Sequence, residues 1–120
     1  MLENFNISRE DIDKVSVLKM EGYLDANTIG EFERSLEHLL DQKRYNIVTD
    51  LSGLNYISSA GLGVYMGFIE DVRAEKGDIK LCCLSDKIFK VFDLLGFPAL
   101  FDILPSVESC MESFNIEDGK

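Results

Sequence analysis

The chain has 120 residues, a length typical of one compact domain, and its composition of 46% hydrophobic and 28% charged residues is that of an ordinary globular protein. It has 12 Lys and Arg residues against 22 Asp and Glu residues, which gives a net charge of −10. This negative charge argues against nucleic-acid binding and against electrostatic docking on an anionic membrane, since both need a basic surface.

The apolar segments and the start of the chain predict a protein that stays in the cytoplasm. No apolar run approaches the roughly 20 residues that are needed to span a bilayer. The first residues include Glu3, Glu10 and Asp11, whereas a signal peptide would begin with Lys or Arg. We therefore expect no direct membrane insertion and a cytoplasmic location.

The first part of the chain is predicted to form two strands and a helix. Apolar residues in 5–7 and 15–20 indicate two strands that a polar turn joins as a hairpin, and Gly22 is expected to end the second strand. From Thr28 the apolar spacing changes to that of an amphipathic helix. The candidate caps of this helix are a capping box of Thr28 with Glu31, and Asp25 and Asn27 as competitors.

Strands and helices are predicted to alternate through the rest of the chain. The expected elements are a strand over 46–51 that runs into the turn formers Ser52, Gly53 and Asn55, a helix over 59–76 closed by Gly77, a strand over 79–84, a helix capped by Ser85 and ended by Gly96, a strand over 101–104 and a helix over 106–114. The residues expected to face the core in the second and third helices are Leu62, Tyr65, Met66, Ile69, Val72, Ile88, Phe89, Phe92 and Leu95.

This order of elements predicts an α/β fold. Strands that are separated by helices form a largely parallel sheet, and the first hairpin adds an antiparallel strand. We expect a mixed sheet of four or five strands packed with about four helices. Residues 1–120 are predicted to form a single domain, with its core at about 5–114.

The sequence gives little evidence for a metal or cofactor site. Cys82, Cys83 and Cys110 form no CxxC pair, and His38 is the only histidine, so no zinc site can be assembled at a recognised spacing. Cys82 and Cys83 are interpreted as free thiols of a buried strand. We expect neither a metal nor a cofactor.

The residues around Ser59 match no catalytic or phosphate-binding loop. A serine hydrolase needs Gly-x-Ser-x-Gly, which is missing, and His38 would have to be the base. Gly61, Gly63 and Gly67 are not followed by the Lys of a phosphate loop, and we interpret them as close packing of a helix against the sheet. No enzymatic activity is expected.

A serine pair, Ser58 and Ser59, stands at the predicted start of the second helix. Local chemistry favours a simple N-cap at this position. The same position also offers unpaired backbone N–H groups and the positive end of the helix dipole, which suit a phosphate. Apolar residues from Leu62 onwards cover more than one face of the helix, which suggests a protein-binding patch.

Four segments of the chain match one known pattern when they are taken together. They are residues 22–25 (Gly-Tyr-Leu-Asp), 50–52 (Asp-Leu-Ser), 57–63 (Ile-Ser-Ser-Ala-Gly-Leu-Gly) and 93–97 (Asp-Leu-Leu-Gly-Phe). The chain resembles the STAS domains of bacterial anti-sigma-factor antagonists over residues 15–114. This resemblance implies a STAS-like fold, in which a sheet of four or five strands packs against helices.

The resemblance also implies a modification site and a set of partners. In this family, the serine at the start of the second helix is phosphorylated by an anti-sigma factor with serine kinase activity, and a PP2C-type phosphatase reverses the step. Matching residue by residue assigns the phosphorylated serine to Ser59. Many phosphorylated members have Asp immediately before this serine, whereas this chain has Ser58, so Ser58 is the second choice. The residues implied to contact the partner are Asp25, Ser58, Ser59, Leu62, Tyr65 and Met66.

Two functions from different classes are consistent with this resemblance. The first is a phosphorylation-controlled binding switch that sequesters an anti-sigma factor and releases a sigma factor. The alternative is a STAS scaffold that is not phosphorylated and that regulates a phosphatase, a cyclase-type output or a membrane transport complex. In the alternative, Ser59 serves only as a helix cap.

Overall fold

The computed structural model describes residues 5–114, which contain five strands and four helices. In chain order these are β1 (Phe5–Ile12), β2 (Val15–Leu24), α1 (Ile29–Asp41), β3 (Asn46–Ile57), α2 (Ser59–Ala74), β4 (Asp78–Cys82), α3 (Asp86–Leu94), β5 (Ile103–Leu104) and α4 (Val107–Ser113). A short 3-10 turn, Phe97–Ala99, lies between α3 and β5.

All five strands belong to one sheet, in the order β1-β2-β3-β4-β5. β1 is antiparallel to β2, and the other three pairs of neighbours are parallel. A helix joins each parallel pair, because parallel strands need a crossover connection. The predicted α/β class and the mixed, largely parallel sheet are confirmed.

Two hydrophobic clusters pack against the sheet, one on each face. Alternate side chains of a strand point to opposite faces, so in β3 Ile47 and Leu51 pack with α1, α2 and α3, whereas Val48 faces α4. The smaller cluster joins Val48 to Cys82 of β4 and Cys110 of α4. The sheet is therefore the middle layer, with three helices on one side and α4 on the other.

β2 and β3 extend further than the sequence predicts. β2 continues through Gly22, where a φ of +94° and a shift of register mark an irregularity, and it ends at Leu24. β3 continues through Ser52 to Ile57, which pairs with Leu24. The predicted strand ends at Gly22 and before Ser52 are wrong, because pairing between the strands satisfies the backbone of residues that favour turns. Both strands consequently end side by side.

The ends of α2 and β4 also differ from the prediction. The residue with left-handed backbone after α2 is Lys76 (φ +69°) and not Gly77. Gly77 is needed for close approach, because a Cβ there would overlap the backbone carbonyl of Tyr45. β4 ends at Cys82, since the positive φ of Cys83 (+66°) turns the chain out of the sheet.

The helix cap that the sequence predicts is present at α3 but not at α1. The Ser85 hydroxyl accepts a hydrogen bond from the N–H of Ile88 (3.2 Å), as a serine N-cap should. At α1 the Thr28 hydroxyl donates to the carbonyl of Tyr23 (2.8 Å) and makes no cap bond to the helix. The predicted capping box with Glu31 is therefore absent.

Candidate functional site

The candidate site lies at the edge of the sheet where β2 and β3 end. The N–H of Ser58 donates to the carbonyl of Leu24 (3.0 Å), which holds the residue after β3 against the end of β2. Asp25 follows Leu24 directly, and α2 begins at Ser59. Sheet pairing thus brings Asp25 close to the serine pair, although these residues lie far apart in the sequence.

The two serines have different surroundings. Ser58 is the N-cap residue of α2 and has an extended backbone, but its side chain makes no capping hydrogen bond. Its hydroxyl oxygen is buried and has no hydrogen-bond partner within residues 5–114. Ser59 is the first residue of α2 and is exposed. Ser59 is therefore the accessible serine of the pair.

The first turn of α2 carries backbone donors that the N-cap side chain leaves free. The first N–H groups of any helix have no partner within the helix itself. Ser58 accepts none of them, and the turn contains no acidic residue to offset the positive end of the dipole. An anionic group on Ser59 would find both donors and a favourable potential there.

Tyr65 and Leu62 lie in the core rather than on the surface. Tyr65 is fully buried, and its hydroxyl is 2.8 Å from the hydroxyl of Thr49. Burial raises the pKa of Tyr65, so this hydroxyl remains protonated. Leu62 is only 5% exposed. The implied direct contact of a partner with Tyr65 is excluded by its burial, because α2 turns these positions towards the sheet.

The face of α2 that points away from the sheet forms a surface of small and flexible residues. Met66, which the sequence also placed in the core stripe, is 47% exposed. It lies two turns after Ser59 on the same side of the helix. We call the exposed residues Ser59, Gly63, Met66 and Gly67 the α2 stripe.

Only one of the three glycines in α2 is explained by packing. A Cβ at Gly61 would lie 2.9 Å from Ile57 and 3.0 Å from Leu24, so this glycine allows the helix to approach the strand ends. A Cβ at Gly63 or Gly67 would meet no atom within 4 Å. The predicted role in close packing is therefore correct for Gly61 and wrong for the other two.

Asp25 shapes the loop between β2 and α1. Its carboxylate accepts a hydrogen bond from the N–H of Asn27 (2.9 Å) and lies 3.3 Å from the Thr28 hydroxyl. Its N–H donates to the same hydroxyl (2.9 Å). Asp25 thus organises the loop that borders Ser58, which is a structural role beside the candidate site.

Two exposed tyrosines near the site were not singled out by the sequence. Tyr23 and Tyr56 are paired neighbours on β2 and β3, about half exposed, with ring centroids 5.8 Å apart. The sequence prediction ended both strands before these residues. The sequence signal that could have identified them is their position next to the buried Leu24 and Ile57. Neighbouring residues of a strand point to opposite faces of the sheet, so both tyrosines lie on the face opposite to these buried side chains.

A second exposed apolar patch lies at the end of α3. Leu94 is 84% exposed and Leu95 is 59% exposed. The prediction that Phe89 and Leu95 face the core is wrong, whereas it is confirmed for Ile88 and Phe92. The helix ends at Leu94, so Leu95 lies beyond the buried stripe.

Neither a hydrolase arrangement nor a membrane span is found in residues 5–114. His38 lies in the last turn of α1, which leads back to the start of β3, whereas Ser59 lies at the opposite edge of the sheet. No helix in this range is both long enough and apolar enough to cross a bilayer.

The profile of the STAS domain family matches residues 6–110, which is most of the chain. The chain belongs to the STAS domain family. The resemblance of its four segments to STAS domains is thereby confirmed. Among its relatives, an anti-sigma-B factor antagonist of Listeria monocytogenes is 28% identical over 112 residues, which cover 93% of this chain and 96% of the relative.

Solved structures share the fold of this STAS chain. An anti-sigma factor antagonist from Mycobacterium paratuberculosis superposes with a TM-score of 0.85 at 21% identity, covering 93% of this chain and 95% of that one. The phosphorylated form of the Bacillus cell fate determinant SpoIIAA superposes with a TM-score of 0.71 at 19% identity, covering 90% and 98%. At these identities, the two structures establish the fold alone.

Proposed function

We propose that this STAS protein is an anti-sigma factor antagonist that is controlled by phosphorylation of Ser59. The unphosphorylated protein binds an anti-sigma factor in the cytoplasm, which releases a sigma factor, and the phosphorylated protein lets go. The observation that carries the proposal is the exposed Ser59 on the first turn of α2, beside backbone N–H groups that the N-cap leaves free. A relative named as an anti-sigma-B factor antagonist supports the class of partner.

The protein acts by binding, and its partners perform the chemistry. An anti-sigma factor with serine kinase activity transfers a phosphoryl group from ATP to the Ser59 hydroxyl, which loses its proton. A PP2C-type phosphatase hydrolyses the phosphoserine and restores the binding form. A phosphorylated structure of the same fold supports the view that this architecture tolerates a phosphate. The chain itself needs no cofactor for this role.

The surroundings of the two serines favour Ser59 over Ser58 as the acceptor. A kinase has to reach the hydroxyl oxygen of its substrate in order to transfer a phosphoryl group. The Ser58 oxygen is buried against the end of β2, whereas Ser59 is exposed. A phosphate on Ser58 would also need room that its buried position does not offer.

The partner surface that we propose is the α2 stripe. Gly63 and Gly67 present bare backbone, so a partner can approach the helix closely, and Met66 offers a flexible apolar contact. Leu62 and Tyr65 support this helix from the core side. The loop shaped by Asp25, with Ser58, borders the stripe at its N-terminal end.

A phosphate on Ser59 opposes binding through a local effect. It adds about −1.5 to −2 charges at pH 7, which is modest for a chain already at −10, and distant charges are screened by salt. A partner that covers the α2 stripe would have to bury this dianion beside Met66. A few kcal/mol of unrecovered desolvation weakens binding by about a hundredfold or more.

The first prediction concerns two substitutions of Ser59. We expect Ser59→Asp to weaken binding of the kinase-type anti-sigma factor by at least about tenfold, because a desolvated carboxylate costs binding energy as a phosphate does. Ser59→Ala should bind in the presence or absence of ATP. Isothermal titration at about 50 and 500 mM salt measures both, and salt should rescue little of the Ser59→Asp defect, because desolvation is hardly screened.

Ser8→Asp is the matched control, since Ser8 is exposed on the edge strand β1 and should leave affinity unchanged. Equal affinities for all variants would remove Ser59 from the interface. Near-complete rescue by salt would mean that the switch is surface electrostatics. Fragment mass spectra that place most of the phosphate on Ser58 would contradict the assignment. Recovery of a transport subunit as the bound partner would favour the scaffold alternative.

A further inference from the structure

The second face of the sheet gathers three thiols and one carboxylate that the proposed switch does not use. The ligand atoms of Asp50, Cys82 and Cys83 all lie within 4.8 Å of one another. The two sulfurs are 3.4 Å apart. Cys110 of α4 packs in the same cluster as Cys82, and its thiol donates to the carbonyl of Leu81 (3.6 Å). These residues come from β3, from the end of β4 and from α4.

The fold brings these side chains together for identifiable reasons. Asp50 and Cys82 are register partners on the parallel strands β3 and β4, so their side chains share one face. Consecutive residues of a strand would point to opposite faces, but Cys83 has a φ of +66°, which turns its sulfur back towards Cys82. A cysteine rarely adopts this conformation, and such outliers cluster at functional sites.

We propose that Cys82, Cys83 and Asp50 form a binding site for Zn²⁺, with solvent in the fourth position. Zinc takes four ligands in a tetrahedron, and Zn–S distances of about 2.3 Å place its sulfurs about 3.8 Å apart, close to the spacing found here. Each cysteine thiol gives up its proton to solvent as its sulfur binds the metal, and nothing is oxidised or reduced. The carboxylate favours Zn²⁺ over the softer Cu⁺, which prefers thiolates alone.

A disulfide explains the cluster less well than a metal does. Consecutive residues have Cα atoms about 3.8 Å apart, which is below the usual disulfide range of about 4.4 to 6.8 Å. A bond between Cys82 and Cys83 is therefore strained. It would also make no use of the nearby Asp50 carboxylate, whereas a cation uses both sulfurs and the carboxylate.

The site has a route for the ion and support for one of its ligands. Cys83 is half-buried and lines a surface cavity of about 310 Å³, together with Asp86 and Phe89 of α3 and with β5. The N–H of Ser52 donates to one oxygen of the Asp50 carboxylate (3.0 Å). Such a second contact orients a ligand carboxylate towards its metal.

The experiment uses Co²⁺ as a spectroscopic substitute for Zn²⁺ and the full chain after reduction and chelation. Titration with CoCl₂ under nitrogen should produce a near-ultraviolet sulfur-to-cobalt band that saturates at one ion per chain. ZnCl₂ should bleach the band by displacing cobalt, and it should protect Cys83 from alkylation by iodoacetamide. Cys83→Ser and Asp50→Asn should each weaken Co²⁺ binding by at least about tenfold, the scale of losses in damaged metal sites.

Asp86→Asn is the matched control, because Asp86 borders the same cavity but lies outside the ligand set. It should leave Co²⁺ affinity unchanged, and far-ultraviolet circular dichroism in chelator checks that every variant is folded. A folded protein without the sulfur-to-cobalt band would overturn the proposal. The same conclusion would follow if Cys83→Ser bound Co²⁺ as tightly as the natural chain, or if Asp86→Asn lost as much affinity as Asp50→Asn.

Discussion

Ser58 and Ser85 show at the scale of single residues that one residue type can start a helix in two ways. Ser85 accepts a hydrogen bond from the N–H of Ile88 and satisfies one of the free donors of α3. Ser58 is likewise an N-cap residue with an extended backbone, yet its hydroxyl is buried and has no hydrogen-bond partner within residues 5–114. The N-cap interpretation from local sequence is therefore correct for Ser85, whereas Ser58 caps α2 by position only.

This difference predicts opposite effects of the same substitution. Ser85→Ala should lower the free energy of unfolding by about 1 kcal/mol, because a capping hydrogen bond is lost. Ser58→Ala should leave it unchanged or raise it by up to about 1 kcal/mol, since it removes a buried hydroxyl that lacks a partner. Urea denaturation of the two variants and the natural chain measures both values. An equal loss at both positions would contradict our description of the α2 N-terminus.

α2 shows at the scale of one element how a helix serves the core and the surface at once. Its inner face places Tyr65 against the rings of Phe32, Phe92, Phe97 and Phe101. Its outer face carries Gly63 and Gly67, which have space around them and no packing role in the described fold. An exposed glycine inside a helix costs about 0.8 to 1 kcal/mol relative to alanine. We infer that the α2 stripe gives up stability to allow a partner close access.

Alanine substitutions of the α2 glycines test whether stability of the fold is lower where a partner needs close access. Gly63→Ala should raise the free energy of unfolding by about 0.5 to 1 kcal/mol while weakening the anti-sigma factor complex, because the new methyl group fills the approach surface. Gly61→Ala is the matched comparison and should destabilise the fold, since its Cβ would crowd Ile57 and Leu24. Denaturation and titration calorimetry measure the two effects. Tighter binding by Gly63→Ala would place the interface elsewhere.

The whole molecule is acidic, and surface cations join its edge strand to the rest of the fold. Arg9 on β1 donates two hydrogen bonds to the Asp11 carboxylate, both 2.9 Å long. Arg44, which follows α1, lies 3.5 Å from the same carboxylate and hydrogen-bonds to Ser16. The hydrogen bond from Arg9, aided by the charge of Arg44, lowers the pKa of Asp11 from 3.8 to about 2.

This pKa predicts an acid-sensitive contribution to stability. A carboxyl group whose pKa is lower in the folded state stabilises the fold above its unfolded pKa and loses that effect as the pH falls towards the folded value. Asp11→Asn should therefore cost less than about 1 kcal/mol at pH 7, because the pair is exposed, and its cost should vanish between pH about 4 and 2. Urea denaturation across this range measures the cost. Asp71→Asn, which removes an exposed carboxylate of α2, is the control for the loss of one negative charge. A cost for Asp11→Asn that persists at pH 2 would contradict the ion-pair explanation.

The resemblance to STAS domains assigned Ser59, whereas periodicity and local chemistry were sufficient to predict the order of elements and the α/β class. These features depend on neighbouring residues, so a single chain segment contains the information. Strand ends were predicted less well, because pairing between β2 and β3 satisfies backbone groups in residues that would otherwise turn. The apolar stripe of α2 predicted that Tyr65 is buried, but only the tertiary structure exposes Met66 and isolates the Ser58 hydroxyl, since both outcomes depend on which face of α2 meets the sheet. The site at Cys82 and Cys83 likewise depends on strand register and on the backbone of Cys83, and no spacing along the chain indicates that Asp50 meets them there.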